Sequence, residues 1–131
     1  MDTIDSMYQE QILDHYKNPR NFGTIKNASV HHHEKNPLCG DELDLFLMID
    51  EHKKIIEVKI NGHGCAISLA SASMLSEEIK GKNIDELKKM TKENILEMLG
   101  IPLSPVRLKC ALLSLDTLKN SILIYEKYIK K

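Results

Sequence analysis

The spacing of the apolar residues changes once along this chain of 131 residues, and the change limits which folds are possible. In the first half, apolar residues occupy every second position in two runs: Leu43, Leu45, Leu47 and Ile49, then Ile56, Val58 and Ile60. This alternation is typical of strands that bury one face. The polar stretch at residues 50–54 joins the two runs, so the pattern predicts an antiparallel hairpin. A short third strand is predicted over residues 29–34.

Helical spacing takes over after residue 65. The predicted helices cover residues 66–80, 83–90 and 91–99, and a long last helix begins at Pro105 after an N-cap serine. Its apolar residues recur at intervals of three and four: Leu108, Leu112, Leu115, Leu118, Ile122, Tyr125 and Ile129. This spacing predicts one packed helix face.

Another helix is predicted over residues 3–17, with its apolar face formed by Ile4, Met7, Tyr8, Ile12 and Tyr16. The predicted class is α+β, with a small antiparallel sheet of about three strands packed against several helices. At this length we expect residues 1–131 to form a single domain.

The composition excludes several functional classes. The formal net charge is −1, whereas a protein held by nucleic-acid phosphates carries a basic excess. Aromatic residues make up 5% of the chain and tryptophan is absent, so a base-stacking platform is not expected. No apolar run approaches the ~18 residues of a membrane helix. The N-terminal residues do not resemble a signal peptide, so we expect a cytoplasmic protein.

Three cysteines stand at predicted element boundaries, far apart in the sequence. Cys39 precedes the first hairpin strand, Cys65 directly precedes the helix at residue 66, and Cys110 lies near the start of the last helix. An odd number of cysteines in a cytoplasmic chain predicts reduced thiols. Helix N-termini and nearby cations favour the thiolate, which is the form that binds metals and attacks sulfur. Asp41 lies two residues after Cys39, so its carboxylate can reach the same ion.

Three thiolates and one carboxylate make a four-ligand set that suits tetrahedral Zn²⁺ or the irons of an iron–sulfur cluster. An oxygen ligand in place of a fourth thiolate makes such a site more exchangeable, which suits a carrier. The alternative interpretation is three unrelated packing cysteines and a turn aspartate. The separations of 26 and 45 residues are a weaker signal than a CxxC pair.

Other residues near the cysteines allow two interpretations. Lys109 could pair with a thiolate or carboxylate of the site, or it could be a solvated helix residue. His63 could be a ligand or a proton relay, although a solvated loop histidine is the simpler interpretation. The histidine run at residues 31–33 alternates sides of its predicted strand, so its members cannot all face one metal. We expect that run on the surface of an edge strand.

Several segments, taken in order, resemble the U-type iron–sulfur cluster assembly scaffolds, the family of IscU, SufU and the NifU N-terminal domain. They are residues 14–21 (DHYKNPRN), 36–41 (NPLCGD), 64–68 (GCAIS), 70–73 (ASAS) and 107–111 (RLKCA). The agreement of several motifs in one order makes the resemblance specific.

The resemblance implies that Cys39, Asp41, Cys65 and Cys110 are the metal and cluster ligands, with Zn²⁺ or Fe²⁺ in the same site. It also implies that these thiols receive persulfide sulfur from a cysteine desulfurase and that a transient [2Fe–2S] cluster passes to client apoproteins. Such a chain is a scaffold or carrier rather than an enzyme. The family fold is α+β, with the site at one end of a small antiparallel sheet.

Two departures bear on the branch of the family. Lys109 stands where the IscU branch has a histidine, and residues 103–107 (LSPVR) stand where that branch has an LPPVK segment recognised by an Hsp70-type chaperone. The second departure argues against a chaperone partner. Lys109 and the GCAIS segment are closer to SufU, yet the stretch at residues 82–105 leaves no room for the insertion that SufU proteins carry before the third cysteine.

Three hypotheses remain. The leading one is a scaffold for a labile [2Fe–2S] cluster. The alternative is a SufU-like zinc-dependent sulfur acceptor, which would act as a sulfurtransferase. The third is a structural zinc domain with no transfer role, which would unfold when it loses its metal.

Overall fold

The computed structural model describes residues 3–37 and 40–129, with side chains from residue 9 onward. Within these ranges the elements follow one another as α1 (Thr3–Lys17), β1 (Val30–Asn36), β2 (Asp41–Ile49), β3 (Ile55–His63), α2 (Ala66–Ile79), α3 (Ile84–Leu87), α4 (Lys92–Leu99) and α5 (Pro105–Ile129). The predicted α+β class, the hairpin and the long last helix are confirmed. The predicted apolar face of β3 was partly wrong, because Ile56 is 53% exposed and Ile55 is buried in its place, where the register shifts opposite Met48 and Ile49.

The three strands form one antiparallel sheet in the order β1–β2–β3. The alternating residues of β2 are buried as predicted: Leu43, Leu45, Leu47 and Ile49 are at most 8% exposed. This inner face packs against α2 and α5, while the outer face is open to solvent. Strand β3 extends to His63, three residues beyond the predicted end, because residues 61–63 continue the ladder opposite residues 42–44.

Helix α2 lies against both α1 and α5, and its small residues allow that close packing. Ser71 and Ser73 are fully buried. The Ser71 hydroxyl lies 2.8 Å from the carbonyl oxygen of Ala111 and 2.8 Å from the hydroxyl of Ser114, both on α5. Buried hydroxyls are tolerated when they are hydrogen-bonded, so polar side chains join these two helices without an unsatisfied group.

The predicted face of α1 was partly wrong. Ile12 is buried, but Tyr16 is 40% exposed, and His15 is buried instead at 4% exposure. The imidazole is accommodated because its Nδ1 lies 2.8 Å from the hydroxyl of Ser73 on α2. The side chains of Ile4, Met7 and Tyr8 lie outside the described part of the chain.

The length of α3 and the buried face of α5 also differ from the prediction. Helix α3 covers Ile84–Leu87 rather than residues 83–90, because the amides of Lys89 and Met90 bond to carbonyls only three residues back. Ile129 is 48% exposed, since the buried stripe of α5 ends at Ile122. Among the described residues, no helix combines the length and apolarity that a membrane crossing requires.

Candidate metal and cluster site

Asp41 begins β2 and faces the interior at 2% exposure. The turn before it is closed by the amide of Gly40, which donates to the carbonyl of Asn36 at 2.8 Å. Gly40 has φ +75°, a left-handed conformation that favours glycine. Cys39, the predicted ligand in this turn, lies outside the described residues. The sequence therefore places a thiol two residues from a buried carboxylate.

Cys65 is the N-cap residue of α2. Its backbone is extended, with φ −72° and ψ 166°, and its Sγ accepts a hydrogen bond from the amide of Ser68 at 3.4 Å. The N-terminus of a helix carries partial positive charge, which stabilises a thiolate. The predicted position of this cysteine at a helix start is confirmed.

The carboxylate of Asp41 and Cys65 are joined by two contacts. Oδ1 of Asp41 accepts the backbone N–H of Cys65 at 2.9 Å, and Oδ2 lies 3.6 Å from Sγ. The first contact fixes the carboxylate through the main chain, so its position does not depend on the state of the sulfur. The second contact keeps an oxygen beside the thiol.

Cys110 completes the described group from the second turn of α5, where it is 3% exposed. One ligand atom from each of Asp41, Cys65 and Cys110 lies within 4.8 Å of the other two. The sequence separates these residues widely, and the fold brings them together from β2, α2 and α5. Cys65 and Cys110, which the alternative interpretation treats as unrelated packing residues, are therefore neighbours in space.

The donor set fits a tetrahedral ion. Zinc bonds of about 2.3 Å to sulfur and 2.0 Å to oxygen, meeting at the tetrahedral angle, separate the two donors by roughly 3.5 Å. The separation of Cys65 Sγ and Asp41 Oδ2 is 3.6 Å. Two sulfurs and one oxygen leave one position for a further ligand, and Cys39 is the sequence candidate for it.

Gly64 is a sterically constrained position beside Asp41 that the sequence interpretation missed. A Cβ at this residue would lie 2.5 Å from Oδ1 and 2.7 Å from Cγ of Asp41, which is closer than real Cβ contacts. The absence of a side chain at Gly64 thus makes room for the carboxylate. The signal available in the sequence was a glycine directly before a predicted ligand cysteine.

Within the described part of the chain, the structure gives no side-chain contact between this group and either Lys109 or His63. Lys109 is exposed and forms no ion pair with any described residue. His63 ends β3 rather than lying in a loop, and its Nε2 is 2.6 Å from Glu42. In the run at residues 31–33 the outer two histidines face solvent and the middle one is half-buried, as predicted for edge strand β1.

Comparison with known proteins identifies one matching family and several relatives. The sequence matches the family described as the NifU-like N terminal domain over residues 7–131. It is 36% identical over 124 positions to the iron–sulfur cluster assembly enzyme IscU of Drosophila melanogaster, covering 92% of this chain and 79% of that protein. It is 37% identical over 137 positions to the zinc-dependent sulfurtransferase SufU of Bacillus subtilis, covering 91% of each.

A solved structure of a related protein is also similar to this chain. The crystal structure of a candidate iron–sulfur cluster assembly scaffold protein for the SUF system, from Fervidobacterium islandicum, has a TM-score of 0.78 and 34% identity. The match covers 89% of this chain and 97% of that one.

The alignment to SufU of Bacillus subtilis contains extra positions. It spans 137 positions, whereas 91% of 131 residues is about 119, so about 18 of those positions have no counterpart here. This supports the prediction that the chain lacks a SufU insertion. With a family match over residues 7–131 and relatives above 30% identity, the chain belongs to the NifU-like N-terminal domain family, with IscU and SufU proteins as its relatives.

Proposed function

We propose that this chain is a scaffold on which a labile [2Fe–2S] cluster is built from iron and persulfide sulfur and then passed to apoproteins. One observation carries the proposal: two thiols and a buried carboxylate from three different elements converge within 4.8 Å. Cys39 is proposed as the third thiol ligand, and residues 1–131 are proposed to act as one scaffold domain. Fe²⁺ or Zn²⁺ is proposed to occupy the same donors between cycles.

Sulfur arrives by thiol exchange in this proposal. A cysteine desulfurase presents a persulfide, Cys–S–S⁻, and a scaffold thiolate attacks its outer sulfur. The old sulfur–sulfur bond breaks, the desulfurase thiolate leaves, and a new persulfide forms on the scaffold. Cys65 is well placed for the attack because it is partly exposed and caps α2. Reducing each sulfane sulfur to sulfide takes two electrons, which an added thiol reductant supplies in the assay.

Asp41 makes the cluster transferable in this proposal. Iron–sulfur clusters are normally held by cysteine thiolates. The carboxylate oxygen of Asp41 is therefore the ligand that we expect to exchange most readily. The hydrogen bond from the Cys65 amide keeps the carboxylate in place when its ligand bond opens. A client cysteine can then replace it. The proposed partners are therefore the desulfurase and client apoproteins.

The test is anaerobic reconstitution. Purified protein is analysed for Zn, Fe and acid-labile sulfide, then mixed with a desulfurase, cysteine, Fe²⁺ and dithiothreitol while visible absorption is followed. We expect sulfide-to-iron charge-transfer bands that disappear when apo-ferredoxin is added. A protein lacking such bands, with only zinc retained, would contradict the scaffold.

A zinc-dependent sulfur acceptor is the second candidate, and it would make the chain a sulfurtransferase. The similarity to the zinc-dependent sulfurtransferase SufU of Bacillus subtilis favours it, as does the lysine before Cys110. When bound, zinc would hold the thiols as thiolates. This function predicts that zinc-loaded protein accelerates desulfurase turnover and that zinc removal abolishes the acceleration. If turnover does not change, this candidate is excluded.

A further inference from the structure

The outer face of the sheet carries a continuous row of imidazoles and carboxylates that the proposed function does not use. Oδ1 of Asp44 lies 2.8 Å from Nε2 of His31 and 3.2 Å from Nδ1 of His33. Glu42 lies next along β2, with Oε1 3.2 Å from Nε2 of His33 and Oε2 2.6 Å from Nε2 of His63. We call these five residues the histidine row.

Strand register assembles the histidine row. His33 of β1 pairs across the sheet with Asp44, and His63 of β3 pairs with Glu42. Side chains alternate between faces along a strand, so Glu42 faces outward although its neighbour Asp41 faces the cysteines. The row is accessible, because the side chains of His33, Glu42 and His63 are 42%, 27% and 72% exposed.

The hydrogen-bond count at His33 is the unusual feature. Both ring nitrogens face a carboxylate oxygen at 3.2 Å, yet a neutral imidazole carries only one N–H. A protonated ring would donate to both carboxylates, whereas in the neutral ring with Nδ1–H donating to Asp44 the lone pair of Nε2 points at Oε1 of Glu42. Two electron-rich atoms then face each other at a separation that a cation can bridge.

That separation matches a metal site. An ion bound about 2.0 Å from both nitrogen and oxygen in tetrahedral geometry holds them roughly 3.3 Å apart. A histidine that binds a metal commonly donates its other ring N–H to a carboxylate, which fixes the tautomer. Asp44 has that position relative to His33. Imidazole and carboxylate donors suit divalent ions such as Fe²⁺, Co²⁺ and Zn²⁺.

We propose that His33, Glu42 and His63 form a second, solvent-facing site for a divalent transition-metal ion, with Asp44 orienting His33. Glu42 stands between the two histidines and contacts both. The ligand atoms of these three residues do not all lie within 4.8 Å of one another in the structure. His63, the most exposed of the three, must therefore rotate away from its contact with Glu42 Oε2 to give the third donor, and water completes the coordination. None of the donors is a cysteine, so the inference stands independently of the proposed function.

Two neighbours modify the site without joining it. Lys35 Nζ lies 3.6 Å from Oε1 of Glu42 and competes with an incoming cation, but its side chain is 67% exposed and can move away. His31 stacks on the ring of Phe46, with ring centres 4.0 Å apart, which holds it on Asp44.

Cobalt distinguishes this site from the cysteine site. The full chain is first loaded with one equivalent of Zn²⁺, which thiolates bind tightly, and Co²⁺ is then titrated by calorimetry. Soft thiolate ligands select Zn²⁺, so Co²⁺ should not displace the zinc from the cysteine site. We expect one equivalent of Co²⁺ to bind and to shift the ring-proton NMR signals of His33 and His63.

Variants assign the donors. His33→Asn and Glu42→Gln should each weaken cobalt binding by at least tenfold, and Asp44→Asn should weaken it by roughly tenfold. His52→Asn is the matched control, because His52 lies in the β2–β3 turn and its side chain is 77% exposed. Lys35→Gln should strengthen binding a few-fold.

The proposal is overturned by any of three results. The first is that zinc-loaded protein binds no cobalt. The second is that His33→Asn and Glu42→Gln each still bind one equivalent of cobalt with unchanged affinity. The third is that the control variant His52→Asn abolishes cobalt binding. Circular dichroism of each variant separates lost ligands from lost folding, and two independent donor variants keep the test decisive if one does not fold. Failure here would leave cluster reconstitution unaffected, so the two proposals fail separately.

Discussion

Asp41 and Glu42 are consecutive acidic residues on β2, yet they belong to two different chemical environments. Asp41 is 2% exposed and lies beside two sulfurs. Glu42 contacts imidazoles on the open face of the sheet. The pleat of a strand sends neighbouring side chains to opposite faces. One strand end therefore offers buried sulfur-rich donors on one side and exposed nitrogen-and-oxygen donors on the other.

The difference between the two faces shows how a small fold can separate two kinds of binding site. Thiolates select soft and borderline metals and clusters, whereas imidazole with carboxylate suits divalent ions that exchange with solvent. Burial of the cysteine side also restricts access to its ligands. The predictions below test whether the two faces behave independently.

Cys110→Ser should have the largest effect. Replacing a buried sulfur with a hydroxyl removes a soft ligand, so charge-transfer absorption after reconstitution should fall at least tenfold. Cobalt binding by the histidine row should not change. The control is Leu123→Ser, which introduces the same residue at an exposed position of α5 and should leave reconstitution intact. If Cys110→Ser reduced cluster reconstitution and cobalt binding by the same factor, the two faces of the sheet would be coupled.

Asp41→Ala should have the next largest effect. Without the exchangeable oxygen ligand, a cluster bound by cysteines should transfer more slowly, and its half-life with apo-ferredoxin should rise several-fold. Asp85→Ala is the control, because Asp85 is an exposed aspartate on α3. A shorter half-life together with a lower unfolding midpoint would instead favour the structural zinc hypothesis.

Gly64→Ala should partly reproduce Asp41→Ala. The added methyl would lie 2.5 Å from Oδ1 of Asp41, so the carboxylate must move, at a cost of about 1–3 kcal/mol in unfolding free energy. In the Asp41→Ala background the same substitution should cost less. A double-mutant cycle measured by urea unfolding gives this coupling, and additive effects would contradict the steric explanation.

The smallest effect concerns a buried histidine, in contrast to the exposed ones. Burial lowers the pKa of His15, and the charge of Arg20 lowers it further, against the opposing charge of Glu77. The unfolded chain then binds the proton more tightly than the folded one. Stability is therefore complete above the unfolded pKa of about 6.5 and decreases as pH falls from there towards the lower folded pKa.

Urea unfolding at pH 7.5 and pH 5.5 checks this direction. The native protein should lose stability at pH 5.5, by at most ~1.4 kcal/mol for each unit by which the His15 pKa is lowered. His15→Gln should reduce that loss, whereas His52→Asn should not. A loss that is identical in both variants would assign the pH dependence to other groups.

Much of the fold followed from local patterns. The alternation at residues 43–49 specified a buried strand face, and the position of Cys65 before a run of small residues specified a helix start. Both signals are contained within a few neighbouring residues, so no tertiary information was needed to interpret them.

The features that could not be predicted depend on distant partners. His15 is buried because Ser73, which is 58 residues away, supplies a hydroxyl, while Tyr16 remains outside. Gly64 is required because β2 brings Asp41 against it. One sequence does not show which distant residues come into contact in the fold. The convergence of Cys65 and Cys110 was expected from the family resemblance rather than from their spacing.

The hydrogen bond from the Ser68 amide to Cys65 Sγ has a practical consequence. Any event at that sulfur, whether loss of a proton, gain of a sulfane sulfur or bonding to a metal, changes the electron density that this N–H meets. The Ser68 amide resonance is therefore a built-in reporter in ¹⁵N spectra. It would record each stage of loading on an unmodified chain, without a dye or a mutation.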